Sequence, residues 1–143
     1  LDDMGIISTI NWFCRQYQET YKHIRVEKQI LVEEGMISDS RKIAIYRIVQ
    51  EALNNVAKHS GADTVYLVLR KIDEDFTQLM ISDNGSGLSM AGSAAEKTSS
   101  LGLSGMQERV ELTGGTFLLS ENNPSGVTID VRWPGEEICE MLA

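Results

Sequence analysis

Three short runs hold side chains equipped for chemistry. In the run Glu51–His59 (EALNNVAKH), Glu51, Asn55, Lys58 and His59 fall at i, i+4, i+7 and i+8, a spacing that gathers side chains on one face of a helix. A carboxylate there accepts a proton, a carboxamide oxygen is a hard ligand suited to Mg²⁺, and an ammonium is a point charge for phosphate. A solvated helix face has the same composition, so the run alone does not decide. The second run is Asp83-Asn84-Gly85-Ser86-Gly87, directly after an apolar stretch. Asp-Asn-Gly is a common turn. Equally, a carboxylate at a strand end can accept a hydrogen bond from an exocyclic amine such as that of adenine, and the glycines let backbone approach a flat ring or a phosphate. The third run, Gly102-Leu103-Ser104-Gly105-Met106, opens a helix. Free N–H groups and the positive end of the helix dipole favour polyphosphate there. It is neither a Walker A sequence nor a dinucleotide fingerprint, and a plain glycine-rich helix start reads the same way.

The elements that must position these runs follow from periodicity. Ile6, Ile10, Phe13, Tyr17 and Tyr21 predict an amphipathic helix, with Asp2 or Asp3 as its cap. Ile24, Val26, Ile30 and Val32 alternate with Arg25, Glu27, Gln29 and Leu31 as in a strand, Lys28 being the exception on the inner face. A longer helix starts near Ser38 or Asp39, buries Tyr46, Val49, Leu53 and Val56, and ends at Ser60-Gly61. Strands are expected over Thr64–Arg70 and Phe76–Ser82, turning at Asp73-Glu74-Asp75. The Gly/Ser/Ala-rich stretch Asp83–Ser100 reads as a mobile loop. A helix from about Gly102 to Gly114-Gly115 and a hairpin of Thr116–Ser120 with Val127–Trp133 complete the order. The fold class is α+β: a two-layer sandwich with helices on one face of a mixed, mainly antiparallel sheet.

Composition narrows the functions. The chain has 143 residues, enough for one domain with its own core, and 21 acidic against 13 basic residues give a net charge of -8. Such a balance argues against a nucleic-acid surface. Cys14 and Cys139 lie far apart without metal-ligand spacing, so neither a disulfide framework nor structural zinc is expected, and a reducing compartment is the default. No stretch is long enough to span a bilayer, and a chain opening on Leu1 reads as a piece of a longer protein.

Taken together, YRIVQEALNNVAKHS (Tyr46–Ser60), DNGSG (Asp83–Gly87), GLSGMQERV (Gly102–Val110) and Gly114-Gly115 resemble the ATP-binding catalytic domain of bacterial sensor histidine kinases. The likeness is to the nitrate-sensor and desaturase-sensor subfamily, within the ATPase superfamily of DNA gyrase and Hsp90. It covers roughly Leu1–Pro134. It implies a Bergerat-type fold, ATP and Mg²⁺, with residues 1–22 joining a dimerisation domain, 23–134 forming the catalytic core and 135–143 a tail. By the resemblance Asn55 coordinates Mg²⁺, Glu51 stands at the general-base position, and Lys58 and His59 reach the phosphates. Asp83 binds the adenine amine, with Gly85 and Gly87 shaping its pocket. Gly102, Leu103, Gly105 and Met106 close the lid end, and Leu88–Leu101 form an ATP lid. The implied partners are histidine-bearing dimerisation helices of the same full-length protein and a response regulator, with no nucleic acid and no direct membrane contact, in the cytoplasm. The family's Gly-Thr before the last strand is here Gly126-Val127, with Thr128 expected on the opposite face. His23 lacks the acceptor context and reads as structural or solvent-exposed. Two other readings stay open: an ATP-dependent switch or hydrolase on this fold, and a degenerate interaction domain.

Overall fold

The stripe at the start of the chain forms helix α1 (Gly5–Thr20), which buries Ile6, Ile10, Cys14 and Tyr17. In this computed structural model, residues 5–73, 75–86 and 103–135 are described. The expected caps Asp2 and Asp3, the lid stretch Leu88–Leu101, and Gly87, Gly102 and Cys139 lie outside them. The observed cap comes from elsewhere: the Glu34 carboxylate accepts the Ile7 N–H at 2.6 Å and pairs with Lys42 at 3.3 Å. Burial would raise the Glu34 pKa, but the Ile7 and Ile6 N–H groups and Lys42 outweigh it and hold the carboxyl below its usual range. This ties α1 to the start of the second helix.

Strand β1 is Arg25–Ile30, helix α2 Asp39–Asn55, strands β2 and β3 Thr64–Ile72 and Phe76–Asp83, helix α3 Leu103–Leu112, and strands β4 and β5 Thr116–Glu121 and Val127–Pro134. The five strands form one sheet in the order β1-β2-β3-β5-β4. β1 runs parallel to β2 and the other neighbours are antiparallel. Period-two alternation sorts the two faces. Val65, Leu67, Leu69, Leu79, Ile81, Ile129, Val131 and Trp133 point into a single core, which the helices cover with Ile45, Ile48, Val49, Leu53, Met106 and Val110. The opposite face keeps Tyr66 and Leu118 exposed. Among the described residues no second helix layer covers it. Lys28, on the core face of edge strand β1, carries its charge close enough to act on the buried Cys14 thiol.

Gly114-Gly115 ends α3 for two physical reasons. Gly114 takes the left-handed conformation (φ 84°). Its N–H bonds the Glu111 carbonyl, while that of Gly115 reaches back to Val110, the double capping pattern that satisfies the last carbonyls of a helix. Gly115 itself is seated against Trp133, where an added Cβ would sit 2.7 Å from the indole nitrogen. Trp133 is fully buried, and its Nε1 donates to Thr113 Oγ1 at 2.9 Å. Gly115→Ala is therefore expected to destabilise the fold by about 1–3 kcal/mol through overpacking, read as a lower midpoint in chemical denaturation.

Candidate functional site

Helices α2 and α3 run antiparallel across the core face. Near the start of α2, Arg41 donates to the Thr113 carbonyl just past the end of α3 at 3.2 Å. Further along, Arg47, Gln50, Glu51 and Asn54 of α2 share a cleft of about 330 Å³ with Arg109 of α3. Residue numbers rise along α2 as they fall along α3. Continuing this run brings the first turn of α3, Leu103 to Met106, toward the C-terminal end of α2, where Leu103, Met106, Leu53 and Val56 are all buried. The first turn of α3 thus lies toward the same end of the helix layer as Asn55 and Lys58. Gly105 is exposed there, with nothing within 4 Å of an added Cβ.

The predicted single polar face is split. The helix ends near Gly61 as expected, but its last stretch, Val56–Ser60, winds as a wider π-type turn that Gly61 closes in the left-handed region (φ 68°). The Val56 N–H is shared between the Ala52 and Leu53 carbonyls. The Tyr17 hydroxyl of α1 donates to that same Leu53 carbonyl at 2.7 Å, within the core. Glu51 and Asn55 keep their α-helical phase, and Lys58 lags behind it because a π turn advances each residue through a smaller angle. Glu51 and Lys58 are exposed and Asn55 is half-buried. The His59 side chain lies outside the described residues.

Asp83 ends β3 half-buried. Its Oδ1 accepts the Gly85 N–H at 2.8 Å, and the Val127 N–H lies near enough to favour the charged carboxylate. Burial pushes the Asp83 pKa up, with the two N–H groups partly opposing it. The Tyr17 phenol is likewise pushed up, first by burial, then by neighbouring Tyr21 and by the Asp83 charge. Asp83 pairs with Val65 and follows Ile81 by two residues, both of them buried on the core face, so its side chain lies on the helix-covered side of the sheet. Gly85 is buried in the bend that follows.

Behind Asp83, on the other face, Asn122 Nδ2 donates to the Asp83 carbonyl at 2.8 Å and to Ser82 Oγ at 3.0 Å. The Thr128 hydroxyl donates to Asn122 Oδ1 and pairs with Ser82. Thr128 therefore faces the outer side of the sheet, as its register requires. Gly126 makes this close approach possible: an added Cβ would lie 1.9 Å from the Asp83 carbonyl oxygen. Asn84 is a structural tie, its Oδ1 accepting the Asp63 and Thr64 N–H groups at 3.1 Å each. Sequence reasoning passed over Arg47, Gln50, Asn54 and Arg109, which line the cleft beside Glu51. Arg47, Glu51 and Asn54 fall at i, i+4 and i+7, a signal visible in the sequence. Arg109 is joined to them only by tertiary packing.

Among the described residues, no three His, Cys, Asp or Glu side chains gather as a metal site. The donor set fits a cation that arrives with phosphate and takes one protein oxygen, the habit of Mg²⁺. Three helices cover one face of a mixed five-stranded sheet, with a half-buried carboxylate at the end of its central strand. The family model described as histidine kinase-, DNA gyrase B- and HSP90-like ATPase matches residues 40–137. The chain belongs to this ATPase family, as an ATP-binding domain of the histidine kinase type. It is 32% identical over 136 residues to the signal transduction histidine-protein kinase/phosphatase DegS of Bacillus subtilis, covering 94% of this chain and 35% of that protein. To UhpB of Salmonella typhimurium, named likewise a histidine-protein kinase/phosphatase, it is 33% identical over 131 residues, covering 92% of this chain and 25% of that one. The chain thus spans about a third or less of these relatives. The solved mycobacterial sensor histidine kinase MprB superposes with a TM-score of 0.67 at 25% identity, over 91% of this chain and 94% of that one.

The raised Asp83 pKa has a sign that can be checked. The folded state holds this proton more tightly than the unfolded chain, so the group disfavours folding once ionised. That penalty sets in as pH rises from the ordinary carboxylate value through the raised one and is fully present at neutral pH. Asp83→Asn is expected to melt at or above the wild-type temperature at pH 7, with the gap closing on acidification. A midpoint several degrees lower at pH 7 contradicts a burial-dominated carboxyl.

Proposed function

We propose that this domain supplies ATP·Mg²⁺ to a sensor kinase that transfers the γ-phosphoryl group to a histidine on a dimerisation helix outside this chain, for two-component signalling. The whole protein hands the phosphoryl group on to a response regulator, and the domain works in the cytoplasm. One observation carries this reading: the turn that ends the helix bearing Asn55 and Lys58 closes at Gly61, just before β2 begins at Thr64, and β2 pairs Val65 with Asp83, so the α2 end and the β3 end lie on the same side of the domain. A purine end and a phosphate end therefore fit one ligand.

Each residue then has a role its surroundings suit. Asp83, oriented by the Gly85 N–H, accepts from the adenine amine, and Gly85 and Gly87 line the ring. Asn55 offers its side-chain oxygen to Mg²⁺, which supplies charge neutralisation on the phosphate oxygens. Lys58 and His59 meet the phosphates from the π turn, and Gly102, Leu103, Gly105 and Met106 hold them with the helix N-terminus. Glu51, exposed on the cleft rim, is reachable by an incoming imidazole, which it orients or deprotonates at the attacking nitrogen. The residues of the domain position and neutralise, which is most of the work in phosphoryl transfer.

Calorimetric titration tests the assignment. Mg²⁺-ATP is expected to bind the wild type. Asp83→Asn should weaken binding about 10- to 100-fold, the cost of a lost hydrogen bond to a charged acceptor, and Asn55→Ala should abolish the dependence on Mg²⁺. Wild-type affinity in Asp83→Asn overturns the adenine role, and unchanged metal dependence in Asn55→Ala overturns the metal role.

A further inference from the structure

The polar face of α2 changes pitch just where its chemistry is concentrated, and one side chain from another helix touches the point of change. Tyr17 is 4% exposed. Its ring is fixed against Tyr21 at 4.9 Å and Phe13 at 6.3 Å between centroids, so its hydroxyl has little freedom. That hydroxyl bonds the Leu53 carbonyl at 2.7 Å. The Leu53 carbonyl also takes a share of the Val56 N–H, a bond of short, three-residue reach. A side-chain donor inserted into a helix ladder is a recognised cause of local departure from α geometry. Immediately beyond it, Val56–Ser60 wind as the π turn, a feature that stores strain and recurs at functional sites.

We infer that Tyr17 is a positioning residue for the phosphate end of the site: its bond to the Leu53 carbonyl selects the π turn and so sets the direction of Lys58 relative to Asn55. This rests on the nucleotide reading above. Tyr17 touches neither ligand nor metal in this scheme; it acts through the backbone of α2. In an unbroken α-helix, Lys58 would advance further around the axis, away from the direction the wider turn gives it. Gly61, left-handed at φ 68°, holds the far end of the same turn and has open space around a would-be Cβ. A side chain there costs backbone strain and no clash.

The test is a double-mutant cycle read with two ligands. Tyr17→Phe keeps the ring contacts and removes only the donor; circular dichroism should show an unchanged fold. It is expected to raise the Kd for Mg²⁺-ATP roughly fivefold, about one hydrogen bond, while the Kd for adenosine stays within about twofold. Combined with Lys58→Ala, it should add nothing to the loss from Lys58→Ala alone, which marks action through Lys58. Gly61→Ala, perturbing the turn from its other end, should repeat the pattern of Tyr17→Phe. Unchanged Mg²⁺-ATP affinity in Tyr17→Phe, equal losses for both ligands, or additive losses with Lys58→Ala each overturn the inference while leaving the site reading intact. Wild-type protein that fails to bind Mg²⁺-ATP, or Lys58→Ala that binds as wild type does, overturns the reading of the phosphate end, and the inference falls with it.

Discussion

The arrangement hinges on the last residue of β3. Asp83 is held at both its polar groups: the Gly85 N–H bonds its carboxylate and Asn122 Nδ2 bonds its carbonyl. The start of β5 can lie this close only because Gly126 has no side chain; a Cβ there would overlap the Asp83 carbonyl. A partly buried carboxylate kept in place by the backbone is costly to fold, since burial raises its pKa. The rest of the domain can be understood as the frame that brings the polar side chains at the end of α2 to the same side of the sheet as this one.

That frame is the helix layer. The helices α1, α2 and α3 pack on one sheet face, and the antiparallel run of α2 and α3 places the first turn of α3 toward the end of α2 that carries Asn55 and Lys58. The Glu34 carboxylate pins α1 from its N-terminal end, and Tyr17 pins it to α2 near its C-terminal end. The outer sheet face has no such roles: Gln78 bonds Asp130 and receives Arg70, a polar lattice that satisfies itself.

Much of this was legible in the sequence, for definite reasons. Helices and strands with one buried face announce themselves by period, so the stripe through Ile6, Ile10 and Tyr17 and the alternation from Val127 to Trp133 translated directly into α1 and β5. The register argument that sends Thr128 to the outer face followed from the period of two. What was not legible depends on contacts distant in sequence. The Glu34 cap on α1, the Tyr17 hydroxyl on Leu53, and Arg109 beside Glu51 have no local pattern. The π turn is invisible to spacing rules, because those rules assume the α period they are used to detect.

The claim that one nucleotide bridges the β3 end and the α2 end is tested most directly by NMR amide mapping during Mg²⁺-ATP titration. The account predicts that the amides of Gly85 and Val127 and those from Asn55 through Gly61 shift together along a single binding curve. Shifts confined to one of these clusters, or centred on the outer sheet face around Tyr66 and Leu118, contradict it.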